Sequence, residues 1–281
     1  MNYRHGFHAG NFADVFKHVF LARILVYLAR KETPFRVIDT HAGEGAYDLT
    51  ADEAQRTEEW RGGVARLMTG DDPTPALREL LAPWRACVGP VDAEGRPYAY
   101  PGSPMLAARL MRAQDRAIFC ELRPDGFAAL RRRFARDERV RALHLDGYTG
   151  LGAFVPPKEK RGLVLIDPPF ERTDEYEAMF AAFEKAWRKW PTGVYALWHP
   201  VKDRARTAAF RAAFAACGVP KALSLSLAVG GDSPGLRETG LVIVNPPFTL
   251  RGEAETLLPF LAARMAQGAG AGYGVEQLTE A

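Results

Sequence analysis

Four acidic residues stand where short apolar segments end. Asp39 closes Phe35–Asp39 and opens the loop Thr40-His41-Ala42-Gly43-Glu44-Gly45. Glu121 lies near the end of Ala117–Leu122, and Asp146-Gly147 follows Val140–Leu145. Asp167-Pro168-Pro169-Phe170 follows the wholly apolar Gly162–Ile166. Any one of these acids is explained as a helix cap; four in succession point to a site. Glycines after the first strand let backbone N–H groups approach a ligand closely. Gly43-Glu44-Gly45 lacks the spacing of the dinucleotide fingerprint, which counts against a nicotinamide enzyme. Glu121 can accept both ribose hydroxyls of a nucleoside, and Asp146 beside the Gly147 backbone can accept from an adenine amino group. An adenosine cofactor without a pyrophosphate suits this set, and S-adenosylmethionine (SAM) is the candidate.

Asp167-Pro168-Pro169-Phe170 carries the sharpest chemistry. Two adjacent prolines mean little in a chain with 20, but an acid, two prolines and an aromatic after a buried strand are specific. An adenine amino group is a poor nucleophile because its lone pair is delocalised into the ring. A carboxylate and a rigid carbonyl that each accept one N–H turn that lone pair toward an electrophilic methyl group. The prolines fix the backbone, and Phe170 offers a stacking face for an unpaired base. Asn245-Pro246-Pro247-Phe248 has the same shape but follows a late strand with no cofactor loop after it. It is read as the end of an edge strand. His5, His8 and His18 could be drawn as a metal site, but no Cys or carboxylate set stands at ligand spacing, and no metal is expected. Tyr3, Arg4 and Phe7 mix aromatic and basic character, as single-strand RNA binders do.

These residues need a scaffold that brings strand ends together. Helices are expected at Ala13–Arg30, Ser103–Arg112, Asp125–Arg136, Glu175–Lys189, Arg204–Cys217 and Glu253–Met265, alternating with the strands above and with Val194–Trp198. Two further strands, Ala222–Val229 and Leu241–Val244, have no helix between them. The pattern predicts an α/β, mostly parallel doubly wound sheet with an antiparallel edge hairpin; with strand ends suited to SAM, the expectation is a Rossmann-like class I methyltransferase fold. Ligands then bind outside the carboxyl ends of the strands. Residues 48–98 read as a small helical insertion subdomain, with 1–47 and 99–281 forming the core. The Gly/Ala-rich Gly268–Gly274 reads as a flexible tail.

The chain has 281 residues and a net charge of +3. That total hides segregation: Met1–Lys31 and Arg109–Arg141 are basic, and Asp48–Tyr100 between them is acidic. Separated charge can produce a local positive field that a near-neutral total conceals. Three widely spaced cysteines exclude a disulfide framework. No apolar run is long enough for a membrane span, and Met1–His8 lacks the core of a signal peptide. A cytoplasmic location is expected.

The chain resembles the bacterial family of 23S rRNA adenine-N6 methyltransferases that modify a single adenine. The likeness is carried by Tyr3–His18, Asp39-Thr40-His41-Ala42-Gly43, Tyr100-Pro101-Gly102-Ser103-Pro104, and the order Glu121, Asp146-Gly147, Asp167-Pro168-Pro169. It implies that His18, His41, Ser103, Glu121, Asp146, Gly147 and Asp167 line the SAM site, that Asp167 is catalytic and that Tyr3 touches the RNA. Pro168 and Phe170 are the other expected substrate contacts. The partner implied is 23S rRNA, protein-free or in an early assembly intermediate, with the enzyme a monomer and no membrane involved. The family's motif commonly ends in tyrosine where Phe170 stands here; stacking survives the change and a hydroxyl is lost. A DNA adenine-N6 methyltransferase, a non-catalytic RNA-binding or ribosome-assembly protein, and a metal-dependent nuclease are the rivals.

Overall fold

The computed structural model describes residues 3–232 and 234–279. The chain runs α1 (Phe12–Ala29), β1 (Arg36–Asp39), β2 (Ala46–Tyr47), α2 (Asp52–Thr57), α3 (Val64–Met68), α4 (Pro75–Val88), β3 (Tyr100–Pro101) and α5 (Ser103–Leu110). It continues with β4 (Arg116–Glu121), α6 (Pro124–Arg133), β5 (Val140–His144), α7 (Gly147–Phe154), β6 (Gly162–Ile166), α8 (Glu175–Lys189) and β7 (Val194–Pro200). It ends with α9 (Arg204–Ala216), β8 (Ala222–Ala228), β9 (Glu238–Val244), α10 (Leu250–Met265) and β10 (Gly272–Thr279).

Eight strands form one sheet in the order β5-β4-β1-β6-β7-β9-β8-β10. The first five are parallel, and β9, β8 and β10 each run antiparallel to the preceding neighbour. Strands β2 and β3 make a separate two-stranded ladder. Helices cover both faces. One core holds α1, α4, α5 and α10; the other holds side chains of α7, α8 and α9 against β6 and β7. Helix α1 is apolar on nearly every side, with Phe16, Val19, Phe20, Ile24 and Leu25 fully buried. Such a helix belongs in an interior. The side chain of Asn11 caps it by accepting from the Asp14 N–H.

The short segments of residues 48–98 bury Trp60, Leu77, Leu81 and Trp84 in the same core as α1. Gly63 lies so close to the arm before α1 that a Cβ there would stand 2.2 Å from the Gly10 carbonyl oxygen.

Three expectations are corrected. Gly268–Gly274 is not a flexible tail: from Gly272 onward it enters β10, which pairs along β8. The glycines read as loop, but the unpaired edge of β8 offers hydrogen-bonding groups that a neighbouring segment can satisfy. The β8–β9 hairpin is therefore interior, and β10 is the edge. Asn245 does not end an edge strand either, because β9 lies between β7 and β8. Val244 pairs with Tyr195, near the start of β7, so Asn-Pro-Pro-Phe sits at the end of the sheet opposite Asp167. There Asn245 takes a left-handed φ of +52° and donates from Nδ2 to the carbonyls of Pro191 and Gly193. Helix α7 was not expected, since its three glycines are poor helix formers. The Asp146 carboxylate starts it by accepting from the Thr149 N–H at 2.8 Å.

Candidate active site

The chain leaves β1 toward β4 and β5 on one side, and later fills β6 and β7 on the other. Loops diverge at such a reversal and leave a crevice at the strand ends. A cavity of roughly 610 Å³ occupies it. Tyr3, His18, His41, Ser103, Glu121, Asp146, Gly147, Asp167, Pro168 and Phe170 all line it. The ten residues singled out from sequence, spread over most of the chain, thus face one space.

At the β1–β4–β5 end the backbone is drawn tight around acids. Glu121 accepts from the Gly43 N–H at 2.8 Å and the Arg123 N–H at 2.7 Å, which fixes its carboxylate beside the loop. Gly43 adopts φ +62°, a conformation glycine reaches without strain. Gly147 sits where a Cβ would stand 2.2 Å from the Thr40 carbonyl oxygen, so only glycine lets α7 start this close to β1. His41 packs edge-on against Tyr148, and Tyr148 donates to the buried Glu175 at 2.6 Å. Burial holds the His41 imidazole down to about 4, and His18 down to about 3, so both are neutral near pH 7. His18 Nδ1 lies 2.9 Å from the Tyr100 hydroxyl, while among the described residues its buried Nε2 makes no hydrogen bond. Ser103 donates at 2.6 Å to Asp39, whose carboxyl burial pushes up to about 7.

The other end is built on Asp167. Buried β6 delivers it, and Pro168 and Pro169 stop the ladder because neither has an N–H to donate. Phe170 then turns back with φ +49°, its ring edge-on to Tyr176 and Trp198. Lys17 Nζ donates to Asp167 Oδ2 at 2.5 Å and lies 3.0 Å from Asp14 Oδ1. Asp14, Lys17 and His18 share one face of α1 because positions three and four apart are helical neighbours. Burial works against the Lys17 charge, yet Asp14 and Asp167 raise its pKa. Burial likewise opposes ionised Asp14, but the His5 and Lys17 side chains hold its carboxyl well below the usual range. A chain of close contacts continues outward. His5 Nε2 lies 2.8 Å from Asp14 Oδ2, and the Tyr3 hydroxyl lies 2.7 Å from His5 Nδ1.

The N-terminal arm closes one side of the cavity. The Tyr3 N–H donates to Glu171 at 2.6 Å, Arg123 donates to the Tyr3 carbonyl, and the Tyr3 ring stacks on His8. Glu59 takes His8 at 3.0 Å and Asn11 at 2.9 Å, and Glu53 takes Arg4 at 3.0 Å. Residues 48–98 therefore hold the arm in place. His5 and His8 each have a carboxylate partner, and among the described residues no group of His, Cys, Asp and Glu is arranged to hold a metal ion.

Comparison with known proteins gives this arrangement a family. The family described as "Ribosomal RNA large subunit methyltransferase D, RlmJ" matches residues 32–278. The chain belongs to that family. It is 39% identical over 282 residues to Ribosomal RNA large subunit methyltransferase J of Haemophilus influenzae, covering 99% of each chain. It is 38% identical over 275 residues to the Escherichia coli protein of the same name, covering 97% of this chain and 96% of that one. A crystal structure of a Legionella pneumophila protein superposes with a TM-score of 0.87 at 34% identity, covering 96% of this chain and 98% of that one. Among the described residues no helix is long and apolar enough to cross a membrane.

For this methyltransferase family member, sequence reasoning passed over Lys17, Tyr148 and Trp198, which also line the cavity; the strand-end acid Asp39 supports it from behind through Ser103. The Asp14-x-x-Lys17-His18 spacing inside an otherwise apolar helix was the available signal for Lys17. The basic block Arg109–Arg141 divides in two: Arg131, Arg132, Arg136 and Arg141 are exposed, while others tie the fold together. Arg109, Arg112, Arg116, Arg133 and Arg139 donate to backbone carbonyls, and Arg112 and Arg139 also pair with Asp115 and Asp137. Guanidinium groups commonly serve helix ends this way.

Proposed function

We propose that this protein transfers a methyl group from SAM to the N6 amino group of a single adenine in 23S rRNA. The observation that carries the reading is the Asp167 carboxylate at the end of buried β6, oriented by Lys17 in the same cavity as Glu121 and Gly147. SAM supplies an electrophilic methyl group when bound. The residues present suit it: Glu121 for the ribose hydroxyls, Asp146 and Gly147 at the adenine, and Ser103 and His41 along the wall. His18 lines the same cavity, and among the described residues its buried Nε2 makes no hydrogen bond.

In this reading Asp167 accepts one N–H of the adenine amino group and a backbone carbonyl of the Pro-Pro turn accepts the other. The nitrogen lone pair then points at the methyl group, and the fixed acceptors favour the positive charge that develops on nitrogen. Lys17 occupies Oδ2, and among the described residues Oδ1 has no hydrogen bond, which suits it to the substrate. Asp167 is also the group placed to take the proton released. Pro168 and Phe170 border the base, and Tyr3 contacts the RNA. Residues 48–98 act as an insertion subdomain that anchors the arm. We take the substrate as protein-free rRNA or an early assembly intermediate, the enzyme as a cytoplasmic monomer, and the reaction as needing no metal.

The names of the relatives favour RNA over DNA. Incubation with labelled SAM in EDTA, using a protein-free 23S rRNA transcript or duplex DNA, tests the choice. Label in the transcript and none in the duplex is expected; preferential labelling of DNA, or dependence on a metal, would overturn it.

A further inference from the structure

A nucleotide whose base reaches Asp167 leaves its phosphodiester at the cavity rim, because base and phosphate are separated by the sugar. The rim should therefore offer an uncompensated cation on the Asp167 side. Among the described residues four lysines and arginines line the cavity: Lys17, Arg123, Arg172 and Lys202. Lys17 is held between Asp14 and Asp167, Arg123 pairs with Asp125, and Arg172 pairs with Asp174. Lys202 is exposed, and among the described residues it has no hydrogen bond or ion pair.

Its backbone is nonetheless well fixed. Lys202 lies between β7 and α9, where the Val201 N–H donates to the Glu238 carbonyl at 2.8 Å and Tyr176 donates to the Pro200 carbonyl. The acids nearby are engaged elsewhere. Asp203 caps α9 through the Ala205 and Arg206 N–H groups, and Glu238 takes Arg204. The same stretch of wall holds Trp198, Pro200, Gly235 and Leu236, beside Phe170. An ammonium held at the edge of an apolar wall suits a nucleotide that buries its base and leaves its phosphate in water. Lys202 also lies near enough to His8, on the arm, for its charge to oppose protonation there.

Building on the rRNA reading above, we propose that Lys202 is a substrate-binding residue whose ammonium contacts a backbone phosphate at or next to the target nucleotide. A phosphate contact of this kind contributes affinity without base specificity, and its effect depends on salt.

The test is steady-state methylation of a 23S rRNA transcript by wild type, Lys202→Ala, Lys202→Arg and the control Lys158→Ala. Lys158 is an exposed residue before β6 at the opposite end of the sheet. Lys202→Ala should raise KM for RNA roughly tenfold, the scale of one hydrogen bond to a charged group. It should leave KM for SAM unchanged and reduce the slope of log affinity against log salt by about 0.7–0.9. Lys202→Arg should recover most of the loss, and Lys158→Ala should match wild type. A KM for RNA within about twofold of wild type, or a rise in KM for SAM instead, overturns the assignment while wild type remains active. Wild type inactive on the transcript brings down the methyltransferase reading as well.

Discussion

At the scale of single residues, the site rests on a few positions where one atom decides the outcome. Gly147 is the clearest. A methyl group there meets the Thr40 carbonyl oxygen at 2.2 Å, and backbone oxygen cannot move aside as a flexible side chain does. Helix propensity alone would favour alanine at a helical position by about 1 kcal/mol. Gly147→Ala is expected to weaken SAM binding at least tenfold, about 1.4 kcal/mol, as read by calorimetry on protein with a native circular dichroism spectrum. Unchanged affinity with a raised melting temperature would show that propensity wins. Lys17 makes the complementary case. Lys17→Met removes the cation that orients Asp167 and should cut methyl transfer by about 10²-fold, on the scale of positioning losses. Tight SAM binding should remain in this variant, and a wild-type transfer rate would contradict the role. Glu121, Asp146 and Asp167 were legible because each follows a recognisable apolar strand. Lys17 was not, because its partner lies 150 residues away and a lysine beside an aspartate reads locally as a surface pair.

At the scale of elements, arginines join pieces that strand and helix patterns describe only separately. Arg112 follows α5 and donates to the carbonyls of Ala29, Lys31 and Thr33, where α1 gives way to β1. It also pairs with Asp115, a side chain with no exposure that accepts from the Phe35 N–H. Arg112→Ala should cost about 2–3 kcal/mol of stability, since it leaves a buried carboxylate short of its charged donor. SAM affinity should be unaffected because this junction lies at the far end of β1. Urea unfolding and calorimetry together check the prediction; lost SAM affinity at unchanged stability would contradict it. The anchoring role of Arg109, Arg112, Arg116, Arg133 and Arg139 could not be read from the sequence, because the carbonyls that occupy them are brought close only by the fold. Periodicity located β1, β4, β6 and α8 closely. It missed β10 and α7, whose glycines look like loop until a strand edge or a capping carboxylate supplies the compensating hydrogen bonds.

At the scale of the whole molecule, burying neutral histidines makes stability depend on pH. His18, His41 and His199 are held down by burial to about 3, 4 and 4 in the folded protein. In the unfolded chain they take up protons near pH 6.5. Their stabilisation is full above about pH 6.5 and is lost as pH falls through 4. Asp39, raised by burial to about 7, acts oppositely: its contribution is present below its unfolded value near 4 and lost as pH rises through 7. Three histidines outweigh one carboxyl, so the melting temperature should fall between pH 6.5 and 4; a rise across that window would contradict the buried neutral state. The molecule also separates its two Pro-Pro motifs, with Asp167 at the cavity and Asn245 at the other end of the sheet. The most direct test of the account is nucleoside mass spectrometry of a 23S rRNA transcript after incubation with SAM and either wild type or Asp167→Asn. The account predicts N6-methyladenosine from wild type and a loss of at least about 10²-fold in the variant, with its fold and SAM binding retained. Wild-type levels of N6-methyladenosine from Asp167→Asn, or a methyl group on any other atom, would contradict it.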